Sequence, residues 1–327
     1  MEEVNEIKIL KNKRIGLITG GLSPERDIAL RSGRAVEKAF KKIGLKFVKI
    51  DFSRNNRRDI FTLIRKSKID LVFLALHGCY GEDGKIQGAL EIMGIPCIGS
   101  DTLSSAVAMD KIITKKIFVQ GGIPTPQYQV FNKGDLFKRS MTNCELQIKR
   151  EPFLEMDLPV VVKPNDCGST IGVNIVSKLK NLKKAMSLAF KYSEKVLIEK
   201  YIKGKEITVP IFDNKALPVI EIISKTKFYD YKAKYVKGFS RHILPANIKS
   251  SIYKKAQDLA WQAHKILGLK DFSRVDMILG DHNKIYVLEV NSLPGLTKTS
   301  LLPEALRFIG ISFEKMVLEM LINALKR

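Results

Sequence analysis

Glu289 and Asn291 stand two positions apart in residues 284 to 291, KIYVLEVN. The run alternates like a strand, so both side chains project from one face of a sheet and two oxygen donors lie side by side. A turn follows at residues 292 to 297, where Gly295 lets backbone approach a ligand closely, and Ser300-Leu301 opens a helix. Upstream, Asp276 lies in a second strand at residues 272 to 278, folded back on the first through Gly280-Asp281-His282-Asn283. Cross-strand pairing then brings Asp276 beside Glu289 and Asn291. Such a set suits Mg²⁺, which takes one or two carboxylates together with phosphate oxygens. Taken alone, an ordinary strand and loop would read the same way, and the rest of the chain has to decide.

Other segments end in groups that could meet phosphate. Residues 158 to 164 read as a strand that delivers Lys163 to a loop, Asn165-Asp166-Cys167-Gly168-Ser169-Thr170-Ile171-Gly172, followed by a short strand at 173 to 176. A lysine before a loop of hydroxyls and glycines resembles a lid over phosphates more than a tight hairpin. Residues 196 to 202 form a strand that Gly204 turns into another, with Glu199 and Glu206 near the turn; solvated carboxylates are the ordinary alternative. Lys111 falls within residues 102 to 121, read as one helix capped by Asp101 or Thr102 and stopped by Gly121-Gly122-Ile123-Pro124. Between Lys225 and Lys255 there are nine Lys and Arg against one acidic residue, Asp230, with Phe228, Tyr229, Tyr231 and Tyr235 among them. That mixture fits a basic loop closing over a triphosphate, or a nucleic-acid contact.

The elements that must position these groups begin with a buried strand at residues 14 to 19. It runs into Gly20-Gly21, with Ser23 as the expected N-cap and Pro24 at the first position of a helix along which Ile28, Ala35, Val36, Ala39, Phe40 and Ile43 keep a helical spacing. A strand at 46 to 51, a helix near 55 to 67 and an apolar strand at 69 to 76 repeat the pattern, which makes a parallel sheet with crossover helices the economical fold. The crevice at the carboxyl ends of these strands, where Glu25 and His77 fall, is the expected binding region. A connecting turn and a structural histidine are the plainer alternatives. An amphipathic helix at 250 to 267, ended by Gly268, backs the C-terminal strands.

With 327 residues, 45% of them apolar, the chain can bury a large core in two or three domains. Its net charge of +22 is spread along the whole length, which reads mostly as solvated surface. Four cysteines without a CxxC pair, and four histidines, indicate neither a zinc site nor a disulfide framework. No apolar run approaches the roughly 18 to 20 residues of a membrane span, and the acidic start, MEEVNE, is unlike a signal peptide. A soluble cytoplasmic protein is the expectation.

The motifs GGLSPERDIALRSG (20 to 33), HGCYGEDGKIQGALEIMGIPCIGSD (77 to 101), AMDK (108 to 111), VVVKPNDCGSTIGV (160 to 173), LIEKYIKGKEITV (197 to 209), YDYKAKY (229 to 235), SRVDM (273 to 277) and EVNSLPGLTKTSLLP (289 to 303) occur in that order. Together they resemble the ATP-grasp superfamily and, within it, the D-alanine:D-alanine ligases. The resemblance implies an α/β chain, α+β in its central and C-terminal parts: an ATP-grasp fold behind an N-terminal parallel-sheet (pre-ATP-grasp) domain. The implied division is 1–110 for the first D-alanine, 111–205 for a central lid domain, and 206–327 for the metal and second D-alanine site.

By resemblance, Lys111, Lys163 and Lys234 would hold ATP phosphates. Glu199 and Glu206 would meet adenine and ribose beside Lys200 and Ile202, while Asp276, Glu289 and Asn291 would hold two Mg²⁺ or Mn²⁺ ions. Glu25 would bind the first ammonium with His77 nearby, and Ser169 and Tyr235 would join Glu25 in a hydrogen-bonded set. Arg274 and the Gly295 N–H would stabilise an oxyanion, with Ser300 and the Leu301 N–H taking the second carboxylate. Tyr235 favours D-alanine over D-lactate as second substrate, D-serine being the other alternative. Cys167, the second residue of Asp166-Cys167, and Lys232 stand where acidic residues are common, which bears on lid electrostatics and ATP affinity. The family leans toward homodimers, and the resemblance gives no role to nucleic acid or membrane.

Overall fold

The computed structural model describes residues 2–56, 59–139, 146–148, 154–224 and 240–327. The first part of the chain runs α1 (Glu2–Lys11), β1 (Ile15–Gly20), α2 (Arg26–Ile43), β2 (Phe47–Phe52), α3 (Ile60–Lys66), β3 (Leu71–Ala75) and α4 (Lys85–Ile92). Its strands form a parallel sheet in the order β2-β1-β3, with Ile15 opposite both Phe47 and Leu71. Every residue of β1 is buried. The strand ends on Gly20 and Gly21 at φ +88 and +99, a region glycine enters without steric cost. α2 turns Ile28, Val36, Ala39 and Phe40 onto the sheet, where the Phe40 ring meets Phe47 and Phe73 edge-on at 5.4 and 5.6 Å. The helix starts at Arg26 rather than beside Ser23, because the Ser23 hydroxyl is spent elsewhere: it donates to the His77 carbonyl at 2.7 Å and accepts from the Glu25 amide.

The expected helix over residues 102 to 121 is two helices, α5 (Thr102–Met109) and α6 (Lys111–Gln120). Asp101 caps the first through the Ser104 amide; Asp110, with extended ψ of 99°, breaks the run and caps the second through Ile113. The break makes Lys111 the first residue of a new helix. Next come β4 (Tyr128–Asn132), α7 (Lys133–Leu136), β5 (Phe137–Arg139), β6 (Leu146–Ile148), β7 (Val160–Pro164), β8 (Asn174–Val176), α8 (Leu182–Ala189) and β9 (Lys195–Lys200). An antiparallel sheet ordered β4-β9-β7-β8 packs on α8 through Val160, Val162, Met186, Phe190 and Val196.

The last part contains β10 (Gly204–Phe212), β11 (Lys215–Ala216), β12 (Ile220–Ser224), β13 (Ser240–Ile243), α9 (Ser250–Ile266), β14 (Phe272–Gly280), β15 (Ile285–Asn291), α10 (Leu301–Phe308) and α11 (Phe313–Leu325). Its antiparallel sheet runs β13-β12-β10-β14-β15, with β11 on β10. α9 covers one face through Ala256, Ala260 and Ala263, joined by Phe118 of α6. The closing helices instead complete the first core, where Leu302, Leu306, Met316 and Leu321 join β1 and β3 residues. Among the described residues no helix is long and apolar enough to cross a membrane.

Candidate active site

One cleft, with a cavity volume of about 200 Å³, lies between the central and C-terminal sheets; Lys111, Lys163, Glu199, Lys200, Ile202, Glu206, Asp276 and Glu289 all line it. These residues come from segments up to 178 positions apart (289 − 111), and the sheets bring them together. Asn291 lines an adjoining small cavity with Lys111, Gly168 and Glu289. Lys234 and Tyr235 lie outside the described residues.

At one end, neighbouring strands β7 and β9 pair Val161 with Glu199, which sets Lys163 close to that carboxylate. Glu199, 2% exposed, is ion-paired with Lys163 through one oxygen, while Lys115 reaches the other at 2.6 Å. Burial pushes the Glu199 carboxyl up, but the charges of Lys115 and Lys163 outweigh it and hold the group below its ordinary range, ionised. Burial lowers Lys115 against the pull of Glu199. Lys115 was not read from the sequence. It stands four residues after Lys111 on the same helix face, a spacing that by itself looks like solvated charge.

Toward the cleft centre, one row across three strands holds Thr208, Asp276 and Glu289, and two rows along, on the same face, Arg274 pairs with Asn291. Asp276 is densely bonded. Arg274 grips it with Nε at 2.8 Å and Nη2 at 2.7 Å, Thr208 Oγ1 donates at 2.7 Å, and Asn291 Nδ2 donates at 3.0 Å. The fork geometry is the strong bidentate kind. Glu289 lies 3.5 Å from Lys111 Nζ, which also donates to the Cys167 carbonyl of the glycine loop at 2.7 Å. The register shifts between Asp276 and Met277, leaving Leu288 as an extra residue. This bulge lets the consecutive residues Leu288 and Glu289 both line the cleft, which an unbroken strand forbids. Among the described residues no group of three or more His, Cys, Asp or Glu side chains is gathered to hold an ion. Asp276, Glu289 and Asn291 supply two carboxylates and an amide oxygen, a hard donor set of the kind Mg²⁺ completes with phosphate oxygens.

Loops from the first part of the chain meet the glycine loop at residues 165–172. Glu25, 7% exposed, accepts a hydrogen bond from the Ser169 hydroxyl, whose backbone holds a positive φ of 50°. His77 Nε2 lies 3.2 Å from Ser32 Oγ, and its Nδ1 lies 3.3 Å from Glu82. Ser32 also accepts from the Leu296 amide at 3.3 Å, so the histidine is tied to the turn carrying Gly295. A Cβ on Gly295 would stand 2.8 Å from Ser300 Oγ. Ser300 Oγ in turn accepts from the Thr297 amide at 3.0 Å, directly before Leu301 begins α10. Burial pushes the Cys167 thiol up to about 11, so this loop carries no thiolate at neutral pH. Sequence reading did not find Ser32, Glu82, Thr208 or Lys115. Ser32, Thr208 and Lys115 reach their partners only through tertiary packing, whereas Glu82 meets His77 five residues away within one loop.

A parallel three-stranded domain followed by two antiparallel sheets that grip a lysine- and carboxylate-lined cleft defines an ATP-grasp enzyme. The chain belongs to the D-alanine–D-alanine ligase family: family models described as D-ala D-ala ligase N-terminus and C-terminus match residues 52–100 and 117–322. It is 46% identical over 308 residues to a D-alanine–D-alanine ligase of Geotalea uraniireducens, covering 94% of each chain. The structure of a D-alanine–D-alanine ligase from Bacillus anthracis complexed with ATP is similar at TM-score 0.79 and 34% identity, over 96% of this chain and 98% of that one. VanG D-Ala:D-Ser ligase from Enterococcus faecalis is similar at TM-score 0.77 and 30% identity, over 95% and 98%.

Proposed function

We propose that the protein joins two D-alanine molecules into D-alanyl-D-alanine for peptidoglycan synthesis, converting ATP to ADP and phosphate. The observation that carries this reading is the single cleft into which Lys111, Lys163, Glu199, Asp276 and Glu289 converge, in a chain whose relatives are ligases of this kind. The chemistry asks mostly for positioning and charge neutralisation. Lys111, Lys163 and Lys234 hold the ATP phosphates, and Glu199, Lys200, Ile202 and Glu206 meet adenine and ribose. Asp276, Glu289 and Asn291 hold two Mg²⁺ or Mn²⁺ ions, whose charge neutralises the phosphates when bound.

Glu25 receives the ammonium of the first D-alanine, with His77 beside it. That substrate's carboxylate oxygen attacks the γ-phosphorus, the bond to ADP breaks, and an acyl phosphate forms. Ser169, with Tyr235, ties the lid over it through Glu25. The amine of the second D-alanine, in its free-base form, then attacks the acyl carbon, the carbon–oxygen bond to phosphate breaks, and phosphate leaves carrying the proton the amine gives up. Arg274 and the Gly295 N–H face the oxyanion that develops, and Ser300 with the Leu301 N–H holds the second carboxylate; donors aimed at developing charge are the efficient arrangement. The three units are 1–110, 111–205 and 206–327. The protein works in the cytoplasm as a homodimer, for which Ile92 and Leu103, 91% and 74% exposed on the adjoining helices α4 and α5, offer an apolar face.

Purified protein with Mg²⁺-ATP should release phosphate in proportion to added D-alanine; release that ignores D-alanine removes the reading. Because VanG, a D-Ala:D-Ser ligase, is also similar, mass spectrometry of products from mixtures of D-alanine, D-serine and D-lactate decides the second substrate. D-alanyl-D-alanine is the product expected to dominate.

A further inference from the structure

Lys115 is fully buried, and the reaction above gives it no part. Its ammonium is surrounded by partners: Glu199 at 2.6 Å, the Thr125 hydroxyl at 2.5 Å, and the Tyr128 ring centroid at 5.7 Å. Thr125 passes the contact on, its Oγ1 donating to the Val287 carbonyl of β15 at 2.8 Å. Glu199 and Lys163 line the cleft, while Lys115 stands behind them on the far side of the Glu199 carboxylate. Three charges in a row, plus, minus, plus, are thus carried by α6, β9 and β7.

The sum of the row is +1. A buried carboxylate with a single cationic partner is costly to strip of that partner, because the charge left behind has no water to solvate it. With Lys163 as its only cation, Glu199 would hold that ammonium against any approaching phosphate. With Lys115 on its other oxygen, Glu199 stays compensated when Lys163 turns away. We propose that Lys115 is a positioning residue that frees Lys163 for the nucleotide phosphates by keeping Glu199 neutralised from behind. The inference rests on the nucleotide reading of the cleft given above.

The mechanism predicts coupling through Glu199. Binding of ATP with Mg²⁺, without D-alanine, is measured by calorimetry for the wild type, K115M, E199Q and K115M/E199Q. K115M should weaken ATP binding by about tenfold or more in the wild-type background, the scale for truncating one member of a buried charge set. In the E199Q background, with no carboxylate left to trap Lys163, the same change should cost no more than about threefold. Equal losses in both backgrounds overturn the proposal, as does a K115M protein that binds ATP normally. Should K115M alone not fold, E199Q against K115M/E199Q carries the test, and a tenfold gap between them overturns it. A wild type that binds no ATP would instead sink the nucleotide reading itself.

Discussion

On the proposed nucleotide side of the cleft the charged groups stand on paired strands, Lys163 on β7, Glu199 on β9, Asp276 on β14 and Glu289 on β15; on the proposed amino-acid side Glu25, His77, Ser169 and Gly295 occupy the loops between elements. The first set is placed by ladder register, one row holding Thr208, Asp276 and Glu289. The second depends on contacts between distant segments, Glu25 with Ser169 and Leu296 with Ser32. Strand-borne groups arrive preorganised, since shifting one means shifting the ladder. Loop-borne groups can close on a small substrate and open again, which suits the half that must admit and release amino acids.

The largest effect should come from the strand side. Glu289→Ala removes a proposed metal ligand, and turnover should fall by roughly three orders of magnitude, the scale of losing several kcal/mol of charge stabilisation. Its side chain is 29% exposed, so the melting temperature should move little. Near-normal phosphate release would take Glu289 out of the strand-borne set. Next, Ser169→Ala breaks the bond to Glu25 and should lower kcat/KM for D-alanine by about a hundredfold through mispositioning, while the KM for ATP stays near the wild-type value. A parallel rise in both KM values would show that the two halves do not separate.

The smallest effect concerns the support behind the strand side. His264 of α9 is 2% exposed, lies 2.8 Å from the Ser273 hydroxyl beside Arg274, and is pushed by burial down to about 4 from an ordinary 6.5. The unfolded chain takes up a proton below about 6.5, whereas the folded chain keeps this ring neutral until about 4. Unfolding free energy should therefore fall as the pH drops through that window, by at most about 1.4 kcal/mol per unit. Urea titrations at pH 7 and pH 5 on the wild type and His264→Gln measure it. The variant should lose less stability on acidification, and an identical loss would remove His264 as the cause.

Much of this molecule could be read along the chain because its elements carry local periods. The alternation in KIYVLEVN became β15, a parallel sheet of β1, β2 and β3 followed from strand, glycine turn and helix, and the pairing of Asp276 with Glu289 followed from the hairpin between them. Local reading failed where a single side chain changed the backbone, as at Asp110, which splits the expected helix and starts a new one at Lys111. It failed again at Ser23, whose hydroxyl is claimed by the His77 carbonyl 54 positions away.

By itself, then, the sequence determined which residue types face together along each strand and helix, since side-chain direction follows from backbone periodicity. It also carried the ordered motifs that mark the family. Only the tertiary structure decided that α10 and α11 close the first core and that a bulge turns both Leu288 and Glu289 to the cleft. The same holds for Lys115, which reads as one more surface lysine in a chain of +22 until Glu199, 84 positions further on (199 − 115), is packed against it. Whether a charge is solvated or buried depends on what the rest of the chain folds over it, and no local pattern records that.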